Sequence, residues 1–189
     1  MAYTIVNKTT SQVWYAMKAS YGKALKAKEN LKLLSIESFV PVYYKKVKIK
    51  GRNKIVPTAA IPNLIFVLAD QIELEKAKGK IDYLHNMLVK SEGRADVLEP
   101  IIVDDRAMRE FMQVVADAHE KVRYVDTALN KQIISEGTKV RVISGQYEGY
   151  QGVLCRPKGS RSKKVLIDLA GFAMVEMPIV DIELLEPIK

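Results

Sequence analysis

Apolar positions along the chain change rhythm from element to element. Val13–Ala19 (VWYAMKA) is aromatic and β-branched and reads as a strand. Ser20-Tyr21-Gly22 then serves as a turn and helix entry. In the following KALKAKENLKLL, Ala24, Ala27, Leu31 and Leu34 recur at spacings of three and four with lysines between them. That pattern predicts an amphipathic helix with an apolar stripe and a basic face. Ser38–Tyr44 returns to strand composition, with Pro41 favouring an edge or a bulge. Pro57 and Pro62 frame a return into Leu64–Leu68 (LIFVL), a short strand of buried type. Asp70–Gly79 reads as a short helix closing at its glycine, and Leu84–Val89 and the stretch around Val97 read as strands. Asp104 and Asp105 cap a helix, RAMREFMQVVADA, whose Met108, Phe111, Met112 and Val115 form an apolar face. This alternation over roughly a hundred residues predicts a compact α/β layer.

Residues 119–134 lose clear periodicity and read as a linker. After Gly137 only short strands remain: KVRVI, GVLCR, KVLIDL, FAMVEM and IELLE, separated by turn residues, which predicts a small all-β barrel. The composition shift at about residue 135 sets the domain boundary. Expected are residues 10–118 as a first domain, 119–134 as a linker and 135–189 as the barrel, an α+β chain as a whole.

Charge sharpens the picture. The net charge is +8, yet residues 1–60 hold twelve Lys or Arg against only Glu29 and Glu37. A polyanion-binding surface on the first part is one reading and a solubilising surface the other. Lys45–Lys54 (KKVKIKGRNK) carries six basic residues in ten, with Lys46, Lys48 and Lys50 at period two and Gly51-Arg52-Asn53 as a plausible tip. Such a ribbon suits phosphate contact, which is independent of sequence and sensitive to salt. Lys18, Lys23, Lys26 and Lys28 extend the same field, and Arg52 belongs to the ribbon. A second basic cluster, Arg156 to Lys164, lies on a predicted hairpin loop of the barrel, where Tyr147, Tyr150 and Phe172 are the aromatic residues at hand.

Catalysis finds little support. The histidines, His85 and His119, share no metal-ligand spacing with the single cysteine, Cys155, so no catalytic residue, metal or cofactor is expected. One cysteine allows no internal disulfide, and a reducing cytoplasm is the default. No apolar run approaches the ~20 residues of a membrane helix, so no membrane partner is expected. The glycines Gly145, Gly149 and Gly152 lead into a strand rather than a helix and lack a following Lys-Ser/Thr pair, so they read as turn formers rather than a phosphate cradle.

The segment GTKVRVISGQYEGYQGVL is similar to a KOW motif, with Gly137, Val140, Val142, Gly145, Gly149, Gly152 and Val153 fitting it. Trp14–Tyr15 with the helix behind them, Phe39–Pro41 and Pro62–Val67 resemble the N-terminal domain of the NusG family. Order and spacing agree over nearly the whole chain. The resemblance implies an NGN-type α/β sandwich, an antiparallel sheet with flanking helices, followed by an SH3-like KOW β-barrel. It implies a non-enzymatic transcription elongation or antitermination factor, cytoplasmic and monomeric. The implied partner is RNA polymerase, bound at the clamp helices of its largest catalytic subunit.

The matching polymerase-binding positions are Ile61, Pro62, Asn63, Leu64 and Phe66, with Trp14 and Tyr15 as supporting packing. Ile61-Pro62-Asn63-Leu64 replaces the aromatic-Pro-Gly-Tyr of general NusG proteins and looks more like the specialised RfaH and UpxY paralogues, which act on selected operons such as surface-polysaccharide loci. DNA near the transcription bubble, the non-template strand included, is a further implied partner of the basic ribbon. In the barrel, Tyr147, Tyr150, Phe172 and Met174 are the expected partner-binding residues. Phe172 lies past Gly171, displaced from the family's position, which speaks against a Rho contact and leaves a ribosome contact open. The alternative is a ribosome- or RNA-associated KOW protein led by its basic clusters.

Overall fold

The computed structural model describes residues 11–91, 94–119, 122–125, 136–169, 173–177 and 185–188. Among the described residues it is mixed α and β, with three helices and mostly antiparallel sheets, and it divides into two compact units. One unit comprises residues 1–40 and 62–102; the other comprises residues 41–61 and 103–189.

The first unit is built on an antiparallel sheet of β1 (Val13–Ala19), β2 (Glu37–Phe39), β5 (Leu64–Ala69) and β6 (Leu84–Asn86) in the order β2-β5-β1-β6; β9 (Ile102–Val103) also pairs with β1. Trp14 stands opposite Leu68, Ala16 opposite Phe66 and Lys18 opposite Leu64. Helices α1 (Ala24–Leu33) and α2 (Gln71–Lys80) pack against β5. The predicted stripe of α1 is the one that is buried, through Ala24, Ala27 and Leu31. Asp70 caps α2 in a full capping box: its carboxylate accepts from Glu73 N–H at 2.8 Å while the Glu73 carboxylate accepts from Asp70 N–H at 3.0 Å. The helix runs through Gly79 to Lys80 rather than closing at the glycine. Leu84–Val89 is not one strand: β6 ends at Asn86, and β7 (Leu88–Ser91) pairs instead with β8 (Arg94–Pro100) as a separate ribbon.

In the second unit, β3 (Val42–Ile49) and β4 (Arg52–Ala59) form a two-stranded ribbon. The single strand expected over Ser38–Tyr44 is thus two, parted at Val40–Pro41, where proline supplies no N–H to a ladder. Helix α3 (Asp105–Ala118) begins at Asp104, whose carboxylate accepts from Ala107 N–H at 3.0 Å. Its buried face is Met108, Phe111, Val114, Val115 and Ala118, while Met112 is only half-buried. The remaining strands are β10 (Tyr124–Val125), β11 (Thr138–Val142), β12 (Gln151–Cys155), β13 (Lys164–Leu169), β14 (Ala173–Glu176) and β15 (Leu185–Pro187). They make an antiparallel sheet in the order β10-β14-β13-β12-β11-β15, and α3 packs on β13 and β14. Cys155, Leu166 and Met174 are buried together there, with Val153 against them.

Candidate functional site

At one end of the first sheet, two connections are tied together. The turn from β1 into α1 holds Tyr21 at φ 61° and Gly22 at φ 69°, both left-handed. Against it lies the lead-in to β5. Asn63 O accepts from Ala19 N–H at 2.7 Å, Asn63 Oδ1 accepts from Gly22 N–H at 2.7 Å, and Pro62 O accepts from Ala24 N–H at 3.4 Å. Pro62 and Asn63 are exposed and Ile61 is half-buried.

The expected polymerase-binding residues therefore separate into two groups. Ile61, Pro62 and Asn63 stand at the surface, with Tyr15 half-buried, whereas Trp14, Leu64 and Phe66 are core, at 3%, 3% and 0% exposure. The strand β5 is buried from Leu64 to Val67, with β1 along it, β2 beside Phe66 and Val67, and helices α1 and α2 packed against it. Alternation alone would have left one face open.

Among the expected nucleic-acid contacts, Lys18 and Lys26 are exposed, while Lys23 is half-buried with its ammonium 4.6 Å from the Tyr83 ring centre and 5.3 Å from that of Tyr21. The Tyr83 hydroxyl accepts from Asn30 Nδ2 at 2.9 Å, and burial, followed by the charge of Asp82, raises its pKa. Tyr21 is 86% exposed and was not among the expected site residues; a tyrosine directly before glycine in a strand-to-helix turn was the available signal.

On the β3–β4 ribbon, Lys45, Lys46, Lys48, Lys50, Arg52 and Lys54 are all exposed. The turn is one residue earlier than expected. Lys50 at φ 48° and Gly51 at φ 80° make it, and Ile49 and Arg52 close it as a pair. Lys46 and Lys48 share a face, opposite Ile55 and Asn53; Lys45, Arg52 and Lys54 belong to the other face, and Lys50 leaves both. The ribbon is thus basic on both sides, with exposed Ile49 and Ile55 interspersed.

In the C-terminal sheet, Tyr147 is buried and its ring lies 5.6 Å from that of the half-buried Tyr150. Burial, reinforced by a hydrogen bond to Asp117 of α3, pushes the Tyr147 pKa up to about 12. Met174 is buried, and Phe172 lies outside the described residues. Arg106 of α3 donates to Gly149 O at 3.2 Å and Gln146 donates to Asp117 at 2.9 Å, so these bonds too fasten α3 to the β11–β12 loop. A cavity of about 300 Å³ lies beside α3, lined by Asp104, Arg106, Glu110, Gln151, Ile167 and Asp168. Its Arg106 is held by Glu110 at 2.7 Å, and among the described residues no serine, threonine, cysteine, histidine or lysine lines it.

Burial raises the pKa of Cys155, the opposite of an activated thiolate. Among the described residues no group of three His, Cys, Asp or Glu is placed to hold a metal, and no helix is long and apolar enough to cross a membrane. Gly145 and Gly149 adopt φ 91° and 85°, as turn glycines should. Gly152 does not: it is a strand residue packed against β13.

Compared with known proteins, residues 12–112 match the model of the NusG family, described as transcription termination factor nusG. No curated protein gives a significant match.

Proposed function

The chain belongs to the NusG family, and from that premise we propose that it is a transcription elongation and antitermination factor that grips RNA polymerase through its N-terminal domain. The observation that carries this is the surface Ile61-Pro62-Asn63 step, pinned by three hydrogen bonds to the β1–α1 turn and followed directly by the buried Leu64 and Phe66, all within the matched span. A short, partly apolar surface step held by hydrogen bonds at Pro62 and Asn63 is what a pair of partner helices can seat. Trp14, Leu64 and Phe66 act beneath it as support, and Tyr15 flanks it. The partner surface in this reading is the clamp helices of the largest catalytic subunit.

The functional division follows the sequence: residues 10–118 as the polymerase-binding domain, 119–134 as a linker and 135–189 as a KOW barrel. Lys46, Lys48, Lys50 and Arg52, with Lys18, Lys23 and Lys26, contact DNA near the transcription bubble. Tyr147, Tyr150, Phe172 and Met174 form the barrel's partner face; with Tyr147 and Met174 buried, a ribosomal partner must first displace the packing over them. The residues Ile61-Pro62-Asn63-Leu64 support a specialised factor serving selected operons, surface-polysaccharide loci among them. Elongation assays with purified polymerase test the reading. The full chain shortens pause dwell times, and Ile61→Glu with Pro62→Glu abolishes the effect; an unchanged pause profile with the wild-type chain would contradict it.

A second reading, association with RNA or the ribosome, rests on the exposed Arg156, Lys158, Arg161 and Lys163 of the β12–β13 loop. It predicts RNA binding by the full chain that weakens with salt and with neutralisation of these four residues. RNA binding indifferent to both would remove it.

A further inference from the structure

Helix α1 ends in a tightly closed turn. Ile36 N–H donates to Leu31 O and Ser35 N–H to Lys32 O, each at 3.0 Å, with Ser35 at φ 58°. That pair of bonds is a Schellman closure, and it fixes Leu34 and Ile36 at the helix end. A cavity of about 280 Å³ separates them from α2; Leu34, Ile36, Glu73, Lys76 and Lys80 line it. The α2 wall is fixed too, because the Glu73 carboxylate accepts from Asp70 N–H at 3.0 Å and from Gln12 Nε2 at 2.9 Å. Lys76 and Lys80 are exposed and make no ion pair among the described residues, unlike Lys78, which holds Glu75 at 2.8 Å. Glu37, next to Ile36 in the chain, is exposed. Ile72 stands four residues before Lys76 on the same face of α2 and is 60% exposed. Ile72, Lys76 and Lys80 thus follow one another along α2 in steps of about 6 Å, with the half-buried Leu34 and Ile36 across the cavity.

We propose that this groove docks an acidic amphipathic helix of a second protein, which seats one aliphatic side chain in the cavity, covers Ile72, and sets carboxylates against Lys76 and Lys80. The two unpaired lysines select the sign of the partner's charge, and the four-residue step of α2 matches that of a helix laid along it. Pockets for small ligands run from roughly 300 to 1,000 Å³, so a cavity of this size suits one side chain better than a cofactor. Nucleic acid would satisfy the lysines but gain nothing from Leu34, Ile36 and Ile72. The ten residues of α1 span about 15 Å, and Pro62 is bonded to Ala24 at the opposite end of that helix. The groove and the polymerase-binding step are therefore separate seats.

The test measures fluorescence anisotropy of the full chain with a labelled designed peptide of about eighteen residues, long enough to be helical alone. It carries a leucine stripe flanked by glutamates. The acidic peptide binds saturably, and more tightly than two controls, one with lysine for every glutamate and one with alanine for every leucine. Added salt weakens its binding. Ile72→Ser lowers the affinity on the order of tenfold, the scale of one buried aliphatic anchor. Lys76→Glu with Lys80→Glu reverses the preference, so that the lysine peptide becomes the tighter ligand. An unfolded variant would bind neither peptide, so the reversal separates docking from damage.

Equal affinity for the acidic and basic peptides, no saturable binding, or a charge-swapped variant that keeps the original preference overturns the proposal. Displacement of the acidic peptide by a DNA duplex assigns the lysines to nucleic acid, and displacement by core RNA polymerase assigns the groove to the polymerase interface. Either result also overturns it. Ile61→Glu with Pro62→Glu leaves peptide binding at the wild-type level, so a failed groove and a failed polymerase-binding reading give separate signatures.

Discussion

A Cβ on Gly152 would stand 2.7 Å from the Leu166 carbonyl oxygen and 2.8 Å from Val165 Cγ1, so the β12–β13 pair closes only over glycine. Gly152→Ala should lower stability by roughly 1–3 kcal/mol, the scale of overpacking, read from urea unfolding. Gly79 is the contrast, a helical residue where an added Cβ would meet nothing within 4 Å. Gly79→Ala should raise stability by about 0.5–1 kcal/mol. In the sequence Gly145, Gly149 and Gly152 look alike, and all three suggested a turn. Only the register of β12 on β13 distinguishes the third, and register is not written in glycine spacing.

Tyr147 carries a prediction of the same kind. Its ordinary pKa of 10.0 rises to about 12 on folding. The folded chain therefore holds that proton more tightly, and the stability this provides is present below pH 10 and lost as pH climbs from 10 towards 12. Tyr147→Phe should flatten the alkaline limb of a Tm-versus-pH curve. Tyr124 and Tyr150, both raised chiefly by burial, preserve a residual slope. A limb identical to the wild type would show that Tyr147 ionises freely.

At the scale of elements, α1 was legible from its stripe and α3 from stripe and cap together, whereas α2 was legible in place but not in its end. The Ala24–Ala27–Leu31 spacing and the aspartates at 70 and 104 all do what their chemistry suggests. The sheet was legible in part. The run LIFVL announced a buried strand, but the helices α1 and α2 that pack against it could not be read locally, and with the burial of both its faces Leu64 and Phe66 lie in the core. An aspartate at either position should unfold the domain rather than loosen a partner, visible as loss of the thermal transition. The basic ribbon shows how a shift of one residue matters. With the turn at Lys50–Gly51, Lys46 and Lys48 keep a common face and Lys50 becomes the tip. If the ribbon touches DNA, charge reversal at Lys46, Lys48 and Lys50 should weaken nucleic-acid complex formation and reduce its salt slope by up to about 0.7–0.9 per lost phosphate contact. An unchanged slope would mark a solvated hairpin.

For the molecule as a whole, the boundary suggested near residue 135 follows composition, whereas compactness follows packing: α3 and the β3–β4 ribbon group with the C-terminal strands. An amphipathic helix announces that it needs a surface to cover, and its stripe of Met108, Phe111 and Val115 does not say which. Family membership over residues 12–112 and the surface Ile61-Pro62-Asn63 step together make polymerase binding the central claim. The most direct measurement is the affinity of the full chain for purified core RNA polymerase, alongside a variant carrying Ile61→Glu and Pro62→Glu whose thermal transition matches the wild type. The account predicts saturable wild-type binding that the variant weakens at least about tenfold, or roughly 1.4 kcal/mol. A folded variant that binds as tightly as the wild type would contradict it.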